Sequence, residues 1–405
     1  MIVGVFVYTS LLFFMLLCFA MTQQLSPYRN NLSPDQKKNS LAYFTYCILF
    51  ALPLLAFSVV FGIRYGVGFD HVNYLNIYLY GYKWRQDEPI FVMIQNFFAI
   101  NEFPYPYYFG FLSFLQVFLF FMAFRKDPKL LVWLVVFLFF DGLLGSWNNI
   151  IRTAIAGCIW IFSIDFIVEK KLIPYLVCSL LAIGFHYSSV TLVIAYPLFY
   201  KGVDFFGNMK LQYILLAVAF VLRFSFSSFA GMFETIINIF SSISVKYEYY
   251  TAEKILQGGK EALQTGTSLA FYFVILVNIV IIAYSHKMHK YFNSRKFNIV
   301  YNIYFIGVLL FYVFPLGYVS LTRPFRYLYF FRSIMLAYFA LYLFENRKQL
   351  KEFATLMVLL VAFAGIFYGP MLNDDNKERV PYETFMQHPE VPTHPMYKPR
   401  SLFKN

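Results

Sequence analysis

Leu130-Leu131-Val132-Trp133-Leu134-Val135-Val136-Phe137-Leu138-Phe139-Phe140 is an unbroken apolar run without a single charge. A soluble amphipathic helix would show polar residues at every third or fourth position, and a half-buried strand would show them at every second. Neither period occurs here. The same kind of block recurs at Leu11–Ala20 and Leu356–Phe367. Blocks approaching 20 apolar residues are what a bilayer core of ~30 Å asks of a helix. The stretch therefore reads as part of a transmembrane helix, and the chain as an all-α, polytopic transmembrane helical bundle. An outer-membrane barrel would alternate with period two instead. Composition agrees, because 60% of the 405 residues are hydrophobic and only 13% are charged, against about 25% charge in an ordinary soluble chain.

The first apolar run lacks a basic segment before it and a small-residue cleavage site after it, so it reads as the first membrane helix and not as a secretion signal. Cys18, Cys47, Cys158 and Cys178 all sit in apolar runs without a C-x-x-C spacing, which suits core residues. The six histidines form no H-x-x-H or H-E-x-x-H pattern, so neither a metal nor a cofactor is expected. The net charge of +12 does not signal nucleic acid. Its lysines and arginines cluster in short loops between apolar blocks, as the positive-inside rule describes.

About twelve spans are expected, at 1–21, 40–61, 106–124, 130–146, 151–168, 172–185, 187–200, 211–228, 267–285, 298–315, 325–344 and 352–369. Every second loop is basic, and placing those loops inside puts both termini outside. Residues 172–200 are short for two spans. They read either as two short helices meeting at His186 or as one tilted helix, the latter requiring 229–245 as an extra span. The expected organisation is one membrane domain over 1–370 with outer loops 62–105 and 230–266. An interfacial helix is expected at 91–100. The tail 371–405, rich in proline and charge, is expected to be loosely ordered.

This topology gathers the distinctive polar residues on the outer face. Asn148 or Asn149 can cap the fifth span, which leaves Arg152 in its first turn. A cation is unfavourable there, because a helix N-terminus carries partial positive charge. Arg323 and Arg326 repeat the pattern at the eleventh span, with Thr322 as cap and Pro324 in the first turn. Helix starts loaded with arginine call for a nearby anion, and a phosphate or diphosphate fits. The competing reading is anchorage to lipid headgroups. Arg223 and Arg332 lie deeper in their spans, where a charge is costly and suggests function. In Gly62–Asp70, Asp70 is a candidate base on a sugar hydroxyl and Arg64 a candidate phosphate ligand, unless the two form a structural ion pair. Glu88 is a second carboxylate. His186 suits a proton shuttle or a hydrogen-bond donor, although a lone histidine is as often a satisfied core residue. Tyr247, Tyr250 and Tyr327 suit sugar stacking or a membrane-interface belt.

Ile63-Arg64-Tyr65-x-x-Gly68-x-Asp70 followed by Tyr74, then Glu88-Pro89, resembles the start of EpsG-type proteins. So do Asn149-x-x-Arg152-x-x-Ile155-Ala156, Lys170-Lys171, Phe185-His186-x-Ser188, the Lys246–Tyr250 tyrosines and Arg323-x-x-Arg326-Tyr327. Thr153 departs from the glutamine expected after Arg152. The resemblance spans roughly residues 45–345. It implies a GT-C-like membrane glycosyltransferase of the Wzy type, making exopolysaccharide, capsule or O-antigen at the outer face of the bacterial cytoplasmic membrane. Implied partners are undecaprenyl-diphosphate-linked glycans, the bilayer, a chain-length regulator and a flippase. Combining the resemblance with the residues, Arg152, Arg323, Arg326, Arg64 and Arg223 are expected on the diphosphate. Asp70 is the first candidate base and His186 the second, with Glu88, Tyr247, Tyr250 and Tyr327 toward the sugars. The rival readings are an O-antigen ligase, a single-sugar transferase, a flippase or transporter for the same lipid-linked sugar, and an acyltransferase.

Overall fold

The computed structural model describes residues 2–28, 40–81, 88–224, 269–314, 323–372 and 382–397. These residues are helical almost throughout. They divide into two compact units, Met1–Val193 with Leu336–Asn405, and Ile194–Met335.

Eight helices are long and apolar enough to cross a membrane: α1 (Ile2–Leu25), α2 (Ser40–Gly62), α5 (Tyr105–Ala123), α8 (Ile151–Val168), α12 (Leu269–Phe292), α13 (Arg295–Val313), α14 (Arg326–Glu345) and α15 (Leu350–Leu372). The span expected at 130–146 is a pair, α6 (Pro128–Phe140) and α7 (Leu143–Asn149), bent by 64°. Gly142 forms the bend at φ 78°, a backbone region open mainly to glycine. Two expected spans are shorter than a bilayer-crossing helix. Residues 172–185 form α9 (Leu172–Phe185), and 187–200 form a 3-10 turn (Tyr187–Ile194) and α10 (Ala195–Phe199). The span expected at 211–228 coincides with α11 (Met209–Phe224) up to the last described residue, and 225–228 lie outside the described residues. The break between α9 and the 3-10 turn lies at His186, whose backbone turns extended at φ −160°. The alternative span at 229–245 lies outside the described residues. The loop after α2 holds two further helices, α3 (His71–Tyr80) and α4 (Pro89–Ile100).

In the first unit, α2 crosses α5 closely because glycines face each other. A Cβ on Gly62 would stand 2.6 Å from the Pro106 carbonyl oxygen and 2.9 Å from Gly110 Cα. Ser58 Oγ donates to the Gly110 carbonyl at 2.6 Å across the same crossing. Small residues and interhelical hydrogen bonds are the means by which helices associate in lipid, where hydrophobicity alone gives no drive. Gly62→Ala must push two backbones apart, and is expected to destabilise by about 1–3 kcal/mol. Gly110→Ala would meet its nearest neighbour, the Ser58 carbonyl, at an ordinary 3.4 Å. Thermal unfolding in detergent should rank Gly62→Ala well below Gly110→Ala, and equal midpoints would contradict the crossing.

The polar tail was expected to be loosely ordered. Its stretch 382–397 is instead tied down at successive points. Strand β1 (Arg64–Tyr65) pairs antiparallel with β2 (Glu383–Thr384). Tyr382 Oη donates to the Val60 carbonyl at 2.6 Å, and the Phe385 amide to the Ile63 carbonyl at 3.0 Å. The Tyr105 amide donates to Thr393, and the Met396 amide to Leu79. The Tyr397 ring fills the space that a side chain at Gly81 would need. Composition suggested too few apolar residues for a core, yet backbone pairing and single aromatic anchors suffice to hold the segment.

His388 lies over the Tyr65 ring, 4.0 Å between centroids. Its Nε2 meets Glu383 at 2.6 Å and its Nδ1 meets Glu390 at 3.0 Å. Hydrogen bonds to these two carboxylates raise its pKa above the ordinary histidine value. A raised folded-state value stabilises the folded form below the unfolded pKa of about 6.5, and the contribution is lost as pH rises through the folded one. The protection factor of the Phe385 amide, its exchange relative to an unfolded chain at the same pH, is therefore expected to fall above neutral pH in the native chain and to stay level with pH in His388→Ala.

The second unit is knitted by buried polar side chains on α11, α12 and α13. Gln212 takes the Tyr301 hydroxyl, Asn278 donates to the Tyr312 hydroxyl at 2.9 Å, and Tyr304 donates to Asn278 at 2.7 Å. Interhelical hydrogen bonds of this kind hold helices together in lipid.

Candidate functional site

Arg152 stands in the first turn of α8, as the sequence pattern required, but the asparagines before it do not cap the helix. The N-cap is Ile150, and no side chain closes it. Asn149 ends α7, and its Oδ1 accepts the Phe69 amide at 2.7 Å. Gly68, at φ 102°, comes so near that a Cβ there would lie 3.0 Å from Asn149 Oδ1. The asparagine thus secures the loop after α2.

The anion that a cation at a helix start calls for is a protein carboxylate. Glu88 Oε2 accepts from Arg152 Nη1 at 2.6 Å, and Glu88 Oε1 lies 3.0 Å from His186 Nδ1. Local sequence explains the meeting. Glu88 is the residue before Pro89, which starts α4 at its first position. Helix α4 packs on α9 at Gly184, where an added Cβ would be 2.5 Å from Ile90 Cδ1. Ile90 follows Glu88 by two residues and Gly184 precedes His186 by two, so this glycine contact sets carboxylate and imidazole side by side. The helix break then turns His186 away from the α9 axis.

Glu88 is almost fully buried at 1% side-chain exposure, whereas Arg152 retains 18% and His186 15%. The pair presents a partly open cationic and imidazole edge backed by a closed carboxylate. Tyr74 completes the wall. Arg152 Nε reaches its hydroxyl at 3.4 Å, and the guanidinium lies 5.6 Å from the Tyr74 ring and 5.7 Å from the Phe91 ring. Burial raises the Tyr74 pKa, and Arg152 opposes that rise. With Nδ1 donating to the carboxylate, His186 carries its lone pair on Nε2, the tautomer that can accept a proton.

The other expected residues divide. Asp70 precedes α3 without a side-chain cap; its carbonyl accepts the Tyr74 amide at 3.0 Å, its side chain makes no hydrogen bond or ion pair among the described residues, Arg64 included, and its charge reaches Tyr74. Arg64 was expected to assist at a diphosphate, but it is only 2% exposed and its head points into the interior. Tyr327 was expected toward sugar, yet its side chain is fully buried, so it serves packing. In the second unit Arg223 lies 4.7 Å over the Phe271 ring. Arg323 opens a 3-10 turn and Arg326 begins α14. Tyr247 and Tyr250 lie outside the described residues. Sequence reasoning undervalued Glu88. The signal available was a carboxylate directly before a helix-starting proline, in the same chain as an arginine that needed an anion.

At the same end of the first unit, an apolar groove of about 640 Å³ runs between α2 and α5. Leu55, Val59, Tyr107 and Phe111 form its sides, and Phe385 and Thr393 of the tail border it. Among the described residues, no group of three or more histidines, cysteines or carboxylates is placed to hold a metal. Residues 45–384 match the model of a family described as the EpsG family. No curated protein and no solved structure matches the chain.

Proposed function

The chain belongs to the EpsG family, and from that membership we propose that it is a membrane polysaccharide polymerase working on lipid-diphosphate-linked glycans. The observation that carries the reading is the Glu88 carboxylate held between Arg152 and His186. In the proposed step an acceptor sugar hydroxyl attacks the anomeric carbon of the donor glycan. The new C–O bond forms as the bond from that carbon to the diphosphate oxygen breaks, and the diphosphate leaves with the electron pair. The hydroxyl proton passes to His186 Nε2, with Glu88 steadying the imidazolium. Arg152 answers the charge growing on the leaving group. The α2–α5 groove suits a prenyl tail, being apolar along its length. The reaction is placed at the outer face of a bacterial cytoplasmic membrane.

This assignment reverses the order of candidate bases, because His186 has an orienting carboxylate and Asp70 has none. Purified protein given an undecaprenyl-diphosphate-linked repeat unit is expected to produce a ladder of longer lipid-linked glycans. His186→Ala should lose about 10²–10⁴ in rate, the usual worth of general base catalysis, and Asp70→Asn should keep most of it. The opposite ranking would return the role to Asp70. A single transfer without a ladder would indicate a ligase, and movement of the lipid without bond formation a transporter.

A further inference from the structure

A second polar cluster lies beneath the loop after α2, separate from the Glu88 carboxylate. Arg64 stands in β1 at 2% exposure, His71 opens α3 at 0%, and Asn148 lies in α7 at 4%. Arg64 Nη2 reaches the Asn148 carbonyl at a long 3.4 Å, and its head lies 5.5 Å from the Phe61 ring. Arg64 Nε and Nη1, both ring nitrogens of His71 and Asn148 Nδ2 have no hydrogen-bond partner among the described residues. No carboxylate forms an ion pair with Arg64 among those residues. The groups whose charge it feels are the phenols of Tyr8 and Tyr382, with His71 beside it.

Four of these five orphaned nitrogens can donate at once, the second imidazole nitrogen being an acceptor when the ring is neutral. The guanidinium and the carboxamide nitrogen only donate, and a neutral imidazole always has one N–H to donate. Burying a charge without a partner is among the costliest arrangements in a protein. The cost shows on Arg64, whose pKa burial pushes down to about 10. Donors on three separate elements, all without an acceptor, ask for one small acceptor of negative charge. Burial limits its size, because the three residues are no more than 4% exposed.

We propose that Arg64, His71 and Asn148 form an enclosed binding site for one halide-sized monovalent anion, chloride being the ordinary occupant. The ion ties β1, just past α2, to the start of α3 and the end of α7, and so steadies the loop that carries Asp70 and Tyr74. The site is separate from the reacting groups, and its occupancy does not depend on which reaction the protein performs.

Equilibrium dialysis of radioactive chloride against the purified full chain, in gluconate buffer of constant ionic strength, tests this. One saturable equivalent per chain is expected, displaced by bromide and not by further gluconate. The unfolding temperature should rise with chloride concentration. Arg64→Met should lose the bound ion, whereas Arg347→Gln, an exposed arginine elsewhere, should keep it. Should Arg64→Met fail to fold, Asn148→Ala decides, with binding roughly tenfold weaker expected for loss of one donor to an ion. Absence of saturable binding by the folded native chain, unaltered binding in a folded Arg64→Met, or unaltered binding in Asn148→Ala would each overturn the site.

Discussion

Arg152→Ala is expected to abolish glycan extension while leaving the protein in the membrane at normal abundance. Removing one preorganised group from a developing negative charge typically costs about 2.7–4 kcal/mol of barrier, or 10²–10³ in rate. The fold should tolerate this loss better than loss of Glu88, because the carboxylate left behind can take up a proton and share it with His186, 3.0 Å away, whereas an arginine cannot shed its charge. Arg152→Lys should rescue little. The native side chain uses Nη1 for Glu88 and Nε for the Tyr74 hydroxyl at once, and lies against two rings. A lysine ammonium is a compact point charge without that planar fork. Product length on a gel, beside immunodetection of the protein in the same membranes, reads both quantities. Extension at the native rate by Arg152→Ala would remove the residue from the mechanism.

Glu88→Gln should be the most damaging single change to stability in this region. The substitution keeps the shape but leaves the Arg152 cation beside a neutral amide in a largely buried setting. Removing one member of a buried pair usually costs about 3–5 kcal/mol, and the partial exposure of Arg152 places the expectation at the lower end. It also removes the anion that sets the His186 tautomer, so activity should fall further than stability predicts. The double variant Glu88→Gln/Arg152→Met separates the two effects, since it leaves no lone charge between them. Its unfolding midpoint should recover most of the loss and its activity none, a coupling that a double-mutant cycle measures. Equal stability of native protein and Glu88→Gln would show that the ion pair contributes nothing.

The membrane spans were legible because solvent is the strongest constraint in the chain. Runs such as Leu130–Phe140 admit one environment, and the eight long helices fall where those runs lie. What was not legible is the depth to which shorter runs go. Leu172–Phe185 is apolar, yet it is shorter than a bilayer crossing. Hydropathy counts residues and cannot see where a helix must break to deliver a side chain, as it does at His186. For the site, reasoning from the helix dipole demanded an anion beside Arg152, and that demand was sound. One such anion lies within the chain itself. Glu88 is 64 residues away in sequence, and only the glycine-mediated packing of α4 on α9 brings it back. The asparagines failed as caps for a similar reason, because a distant backbone amide at Phe69 competed for Asn149.

Strand β2 and the residues after it bind the loop that follows α2, so a segment translated more than 300 residues later closes over it. A ribosome that stops early, or a message cut near its 3′ end, would release a product with most of its apolar helices inserted but without this closure. The groove border at Phe385 and Thr393 and the pairing at Arg64 would both be missing. Synthesis through residue 397 is thereby a condition for closing the first unit, and shorter copies would occupy membrane space without that closure.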